Sequence, residues 1–303
     1  MHKIEFSNNG KVMMIPSQVE EMDEKQFVYF IDLVLKYLSG NISVSDLKTS
    51  LITKLLDIRL GLMDPFLTVE ERENVYSEIY RLGELCDSFF EEIEQDGKKV
   101  KSFRLNFTKN FIPQVCGKYL GPADALTDIT FCEYRMAHSH YVAYLNSHDE
   151  QELNRMIAVL YRPRKSWLWI RQMLNNYDGQ KRIPFTSASN PLLLEARARE
   201  IASLPMAVRY GIFLFFSGCE RFLSSGTIII DGKEIDLSVI YEKSGDESDS
   251  PDIGLIGILY SLSETKVFGS IAETDNQNLY DIMTRLYQVV KQAKAMEAKY
   301  NEK

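Results

Sequence analysis

Two tryptophans and four cations crowd into one stretch, Arg162, Arg164, Lys165, Trp167, Trp169 and Arg171, with Lys181 and Arg182 following and Asp178 as the charge of opposite sign. Guanidinium groups beside indoles carry two kinds of recognition chemistry. They bind single-stranded nucleic acid, the cations meeting phosphates while bases stack on the rings. They also anchor protein interfaces, where Trp and Arg are enriched. A third arrangement needs no ligand: both indoles pack on the preceding helices and the charges face water. These six residues are the candidate partner-binding set, and a nucleic acid lying along 162–182 is the alternative occupant.

Other residues that could do chemistry are few. His138 and His140 form an HxH pair. On a helix, residues two apart diverge by about 200°, so the two imidazoles cannot share an ion, and no cysteine stands at ligand spacing. Cys132 is close to a helix start, where the dipole lowers a thiol pKa, but its place on the apolar face marks a buried thiol. GxSxG, GxGxxG, P-loop and HExxH patterns are absent, so no catalytic residue, metal or cofactor is assigned. Converging carboxylates, such as Glu133 and Asp149, would mark an enzyme outside those classes.

The elements that position these residues read as helices. Thr130-Phe-Cys-Glu133 is a capping box, with Phe131, Tyr134, Tyr141, Val142 and Leu145 behind it, and Ser147-His-Asp-Glu150 reads as another, followed by Leu153, Met156, Ile157 and Leu160. Pro163 cannot supply the N–H of a continuing helix, so the second helix stops before it and delivers the Trp and Arg residues just beyond. Upstream, helical spacing covers 23–38, a second helix follows Ser43 or Ser45 and ends near Gly61, and Thr68-Val-Glu-Glu71 opens a helix expected to reach about Ile93. Downstream, Asn190-Pro191 starts a helix with Glu195 and Arg199 four apart. A nearly all-apolar helix runs from about Met206 to Leu223, a short one covers 253–263, and a last one starts near Asn278 and dissolves into KQAKAMEAKYNEK. Asn9-Gly10 and Asp231-Gly232 between apolar runs predict small β-hairpins near 3–15 and 227–242, and 244–251 is an acidic loop.

The expected fold is therefore mainly α, a multi-helix globular protein with two small hairpins. Its 303 residues suffice for an N-terminal lobe over 1–97 and a C-terminal lobe over 98–303, or for one elongated domain, the polar and basic segment 94–113 being the candidate boundary. A net charge of −8 argues against a general polyanion binder. Four cysteines without a CxxC pair read as buried thiols in a reducing compartment, and the most apolar run, 210–219, is about half of the roughly 20 residues of a membrane span. A cytoplasmic protein without a membrane segment is expected.

Beyond these local readings, GPADALTDITFCEYRMAHSHYVAYLNSHDEQELNRMIAVLYRPR resembles a pattern in proteins of tailed phages and prophages of Bacteroidetes-type bacteria, and IPSQVEEMDEKQFVYFIDLV and SLSETKVFGSIAETDNQNLYDIMTRLYQ resemble the same group. Members are regarded as tail assembly chaperone-like or otherwise virion-associated. The resemblance implies a non-enzymatic protein of the bacterial host cytoplasm that binds a tape-measure or tube protein during tail morphogenesis. It brings no catalytic residues with it. Its most recognisable positions, Thr130, Glu133, Leu160, Tyr161, Arg162 and Pro163, act as caps, core and stop.

Overall fold

Asp23, Ser43, Thr68, Thr130 and Ser270 each begin a helix in the same way: the side chain accepts the N–H three residues on, and the residue there returns the bond to the cap's own N–H. A computed structural model describes residues 1–6, 11–58, 67–95, 98–167, 173, 180–186, 188–230, 232–241 and 254–301. Helices dominate it, with short antiparallel strands between them.

Two compact units divide the chain: 1–107 with 205–214, and 108–204 with 215–303. The first opens with β1 (His2–Phe6) paired to β2 (Lys11–Ile15), the expected hairpin, whose turn at 7–10 is outside the described residues. Helices α1 (Glu24–Leu38), α2 (Val44–Leu55) and α3 (Val69–Gly83) follow. Phe27, Phe30, Leu47 and Leu51 are buried, and Phe30 meets Phe89 and Phe103 at ring distances of 5.6 and 6.2 Å. Two boundaries differ from expectation. Helix α2 ends at Leu55, and Gly61 is outside the described residues. Helix α3 ends at Gly83, passes into a tighter 3₁₀ turn (Glu84–Phe89), and the chain then forms β3 (Phe90–Gln95) paired to β4 (Lys98–Phe103). Phe89 and Phe90 fit a helical stripe by spacing alone, but the Phe90 and Phe103 rings meet, tilted, with centroids 4.8 Å apart across the strand pair. The expected boundary at 97/98 thus falls between two strands that pair with each other.

The second unit is built on a helical hairpin. Helix α4 (Phe131–Ser147) ends at His148, whose left-handed φ of 55° reverses the chain, and α5 (Glu150–Leu160) packs back on it. The cap of α5 is Asp149, which accepts from the Gln151 N–H at 2.9 Å; Ser147, expected in that role, instead belongs to α4 and donates to the Ala143 carbonyl. Tyr161 and Pro163 do end the helix, and Arg162–Pro163 forms β7, which pairs with β6 (Tyr119–Leu120), itself paired on its other side with β5 (Gln114–Val115). Helix α6 (Pro191–Ile201) has the Asn190 cap and leading proline read from sequence. Its Glu195 carboxylate, however, pairs with Arg155 at 2.8 Å, and Arg199 turns to the Glu195 carbonyl.

Helix α7 (Met206–Ser225) spans residues of both units. After it, β8 (Thr227–Ile230) pairs with β9 (Lys233–Asp236). The hairpin stops there: Asp236 accepts from the Ser238 N–H and hydroxyl, and 238–241 turn into a short helix, α8 (Ser238–Tyr241), rather than prolonging the strand. The acidic loop 244–251 is outside the described residues. Helices α9 (Leu255–Glu264), α10 (Ile271–Asp275) and α11 (Leu279–Asn301) complete the chain. The tail expected to fray is helical to Asn301, in keeping with its Ala, Lys, Gln, Glu and Met, all strong helix formers.

Candidate functional site

Arg162 and Arg182, chosen by residue type as surface cations, are each only 2% exposed. Their counter-charge is Glu133, buried to the same degree. One carboxylate oxygen accepts from Arg162 Nη1 at 3.1 Å and from the Phe185 N–H at 3.0 Å. The other closes the capping box by accepting from the Thr130 N–H and lies 3.7 Å from Arg182 Nη2. Arg182 also donates to the Leu160 carbonyl at 2.7 Å and to the Asp128 carboxylate at 3.1 Å, and Arg162 donates to the Ile183 carbonyl at 2.6 Å. Burial pulls the Arg162 guanidinium down to about 10 against the pull of Glu133, a sign of how strongly it is desolvated.

This clasp joins the start of α4, the end of α5 and the returning segment 180–185. The Lys165 N–H donates to the Lys181 carbonyl and the Ile183 N–H to the Pro163 carbonyl, so 163–165 and 181–183 are joined backbone to backbone. Arg162 is thereby a core residue. Of the other candidate partner-binding residues, Arg164 is exposed, Lys165 is half-buried and Trp167 is 70% exposed with a left-handed φ of 57°. Trp169 and Arg171 are outside the described residues. The structure brings Arg162 and Arg182 together inside and leaves Arg164 and Lys181 outside.

The histidines part as helical spacing requires. His138 Nδ1 lies 3.1 Å from Glu220 Oε2 of α7, which also accepts from the Tyr134 hydroxyl, whereas His140 Nδ1 lies 2.7 Å from Glu152 Oε2 of α5. Among the described residues no group of His, Cys, Asp and Glu is arranged to hold a metal. Cys132 is buried, and burial followed by the nearby Asp275 charge pushes its thiol up to about 12, away from a nucleophile. Glu133 and Asp149 do not converge, since the first is locked in the clasp and the second caps α5.

An open groove of about 710 Å³ lies between α4 and α9, lined by none of the described residues that the sequence singles out for partner binding. Met136, Ser139 and Val142 form one wall and Leu255, Ile256 and Ile258 the other. Arg135 and His138 border it, with Arg135 held by Asp275 at 3.1 Å and His138 by Glu220. The signal was available in part, as Met136, Ser139 and Val142 recur every three residues along α4. The facing wall is far away in sequence and gave no local sign. Comparison with protein-family models, with curated proteins and with solved structures finds no match to this chain.

Proposed function

We propose that the protein is a non-enzymatic phage or prophage protein, tail assembly chaperone-like, that holds an apolar helical segment of a tail component in the α4–α9 groove. The groove is the observation that carries the reading. Its walls are mainly apolar, it is open, and the Arg135 and His138 side chains at its border are already engaged by Asp275 and Glu220. Such a trough suits an amphipathic helix laid with its apolar face inward, a common mode of peptide capture. The phage and tail attribution rests on the sequence resemblance, and the tape-measure or tube protein is the expected partner.

Two further features support binding over chemistry or polyanion recognition. The thiols of Cys86, Cys132 and Cys219 are buried, and burial raises the pKa of each. Two of the cations that a nucleic acid would have used are internal. Purified tape-measure and tube proteins titrated onto the full chain should bind, and Val142→Glu on the exposed side of the groove should weaken binding at least ~10-fold while the helical spectrum stays unchanged. Absence of binding to every tail component would overturn the reading. Tight binding of single-stranded DNA that falls steeply with salt would replace it with the alternative.

A further inference from the structure

Helix α11 carries an apolar seam that outruns the body it packs on. Leu279, Ile282 and Leu286 begin an alternation of three and four that Val289, Ala293, Met296 and Tyr300 continue, the a and d positions of a heptad. Leu279 and Ile282 are fully buried and Leu286 is half-buried. Beyond them Val289 and Ala293 are exposed, Met296 is 70% exposed and Tyr300 82% exposed. An ordinary solvated helix end would lose its apolar periodicity where it leaves the core. This one keeps it to the last turn.

The charges beside the seam select the occupant. Glu297 and Lys299 flank it together with the neutral Gln292 and Val290. A strongly acidic or basic partner helix would meet a like charge at one of these positions. A second copy laid parallel and in register meets none. The residue before each a position then faces the residue after the next d position of the other chain, so Gln292 meets Glu297 and Arg285 meets Val290. Lys291 and Lys294 fall on sides of the helix away from the seam, Lys291 lying 4.9 Å from the Tyr287 ring.

We infer that residues 286–301 of two copies pair in parallel as a short two-stranded coiled coil, with Ala293 facing Ala293 in its narrowest layer. The inference uses a different surface from the groove and does not depend on the tail-assembly reading. Because the exposed part is only ~18 Å long, the dimer is concentration-dependent. Sedimentation equilibrium of the full chain from about 1 to 100 µM should show mass rising from monomer towards dimer. The double variant Met296→Glu, Tyr300→Glu should stay monomeric with its helical spectrum intact, and Lys291→Glu, Lys294→Glu should dimerise as the parent does. In a Cys116→Ser background, which removes the exposed native thiol, Ala293→Cys should form a disulfide-linked dimer on mild oxidation. A parent chain that is monomeric throughout, a seam variant that still dimerises, loss of the dimer in the lysine variant, or failure of the 293 cross-link would each overturn the inference.

Discussion

The clasp and the far end of α11 invert the usual placement of residue types in opposite ways. At the clasp, two guanidiniums and a carboxylate lie in the core of the second unit, each with several hydrogen bonds. At the end of α11, methionine and tyrosine stand in water. Buried charge is costly unless paired, so the first arrangement makes the local fold depend on a few groups. Exposed apolar side chains cost the monomer little, so the second leaves the fold indifferent and the surface free to bind. The difference separates residues that hold this protein together from residues that are available for something else.

Glu133 gives the sharpest way to break that comparison. Glu133→Ala would leave buried Arg162 without the carboxylate it pairs with, Arg182 with Asp128 alone of its two carboxylates, and the Phe185 N–H without its acceptor. The expected loss is about 3–5 kcal/mol in urea unfolding. A loss below about 1 kcal/mol would mean that water reaches the guanidiniums and the clasp is not a core element. Thr130→Ala should cost less, about 1 kcal/mol, because it removes one cap contact and leaves the ion pairs in place. Equal losses for the two variants would tie the effect to the helix start rather than to the buried charges.

How much of this was legible in the chain follows the range of the interactions. The caps at Asp23, Ser43, Thr68, Thr130 and Asn190 act within three residues of themselves, and each starts the helix expected of it. Ser270 and Glu273 carry the same signal for α10. The Asn9-Gly10 and Asp231-Gly232 hairpins are equally local. Where a stripe of aromatics was ambiguous, at Phe89 and Phe90, cross-strand packing with Phe103 decided the outcome. The clasp was illegible for a related reason. Glu133 is 29 residues from Arg162, and Asp128 is 54 from Arg182. Nothing in an arginine's own neighbourhood says that it will be buried. The groove has walls on helices far apart in the chain, so one of its faces could be read and the other could not.

A smaller effect is expected where charge is only partly buried. Burial works to raise the Glu152 carboxyl, but hydrogen bonds from His140 and Arg155 outweigh it and hold the pKa below the ordinary 4.5. A carboxyl lowered in the fold stabilises it above the unfolded value, and that contribution is lost as the pH falls through the folded one. Glu152→Gln should therefore make unfolding less sensitive to acid, with the parent and variant curves converging as the pH falls below the ordinary 4.5 and through the lowered folded value. Parallel curves across the acid range would show that the carboxylate is not held by its partners in solution.

The smallest effect should come from the exposed seam, and its smallness is what makes it informative. Met296→Glu with Tyr300→Glu removes two large apolar side chains that already stand in water, so monomer stability at low concentration should change by no more than about 0.5 kcal/mol. Stability of the parent should rise with protein concentration through mass action, and that of the variant should not. If the variant is instead destabilised at every concentration, those side chains pack within their own chain. The end of α11 would then be a second structural region like the clasp, and the contrast between the two would disappear.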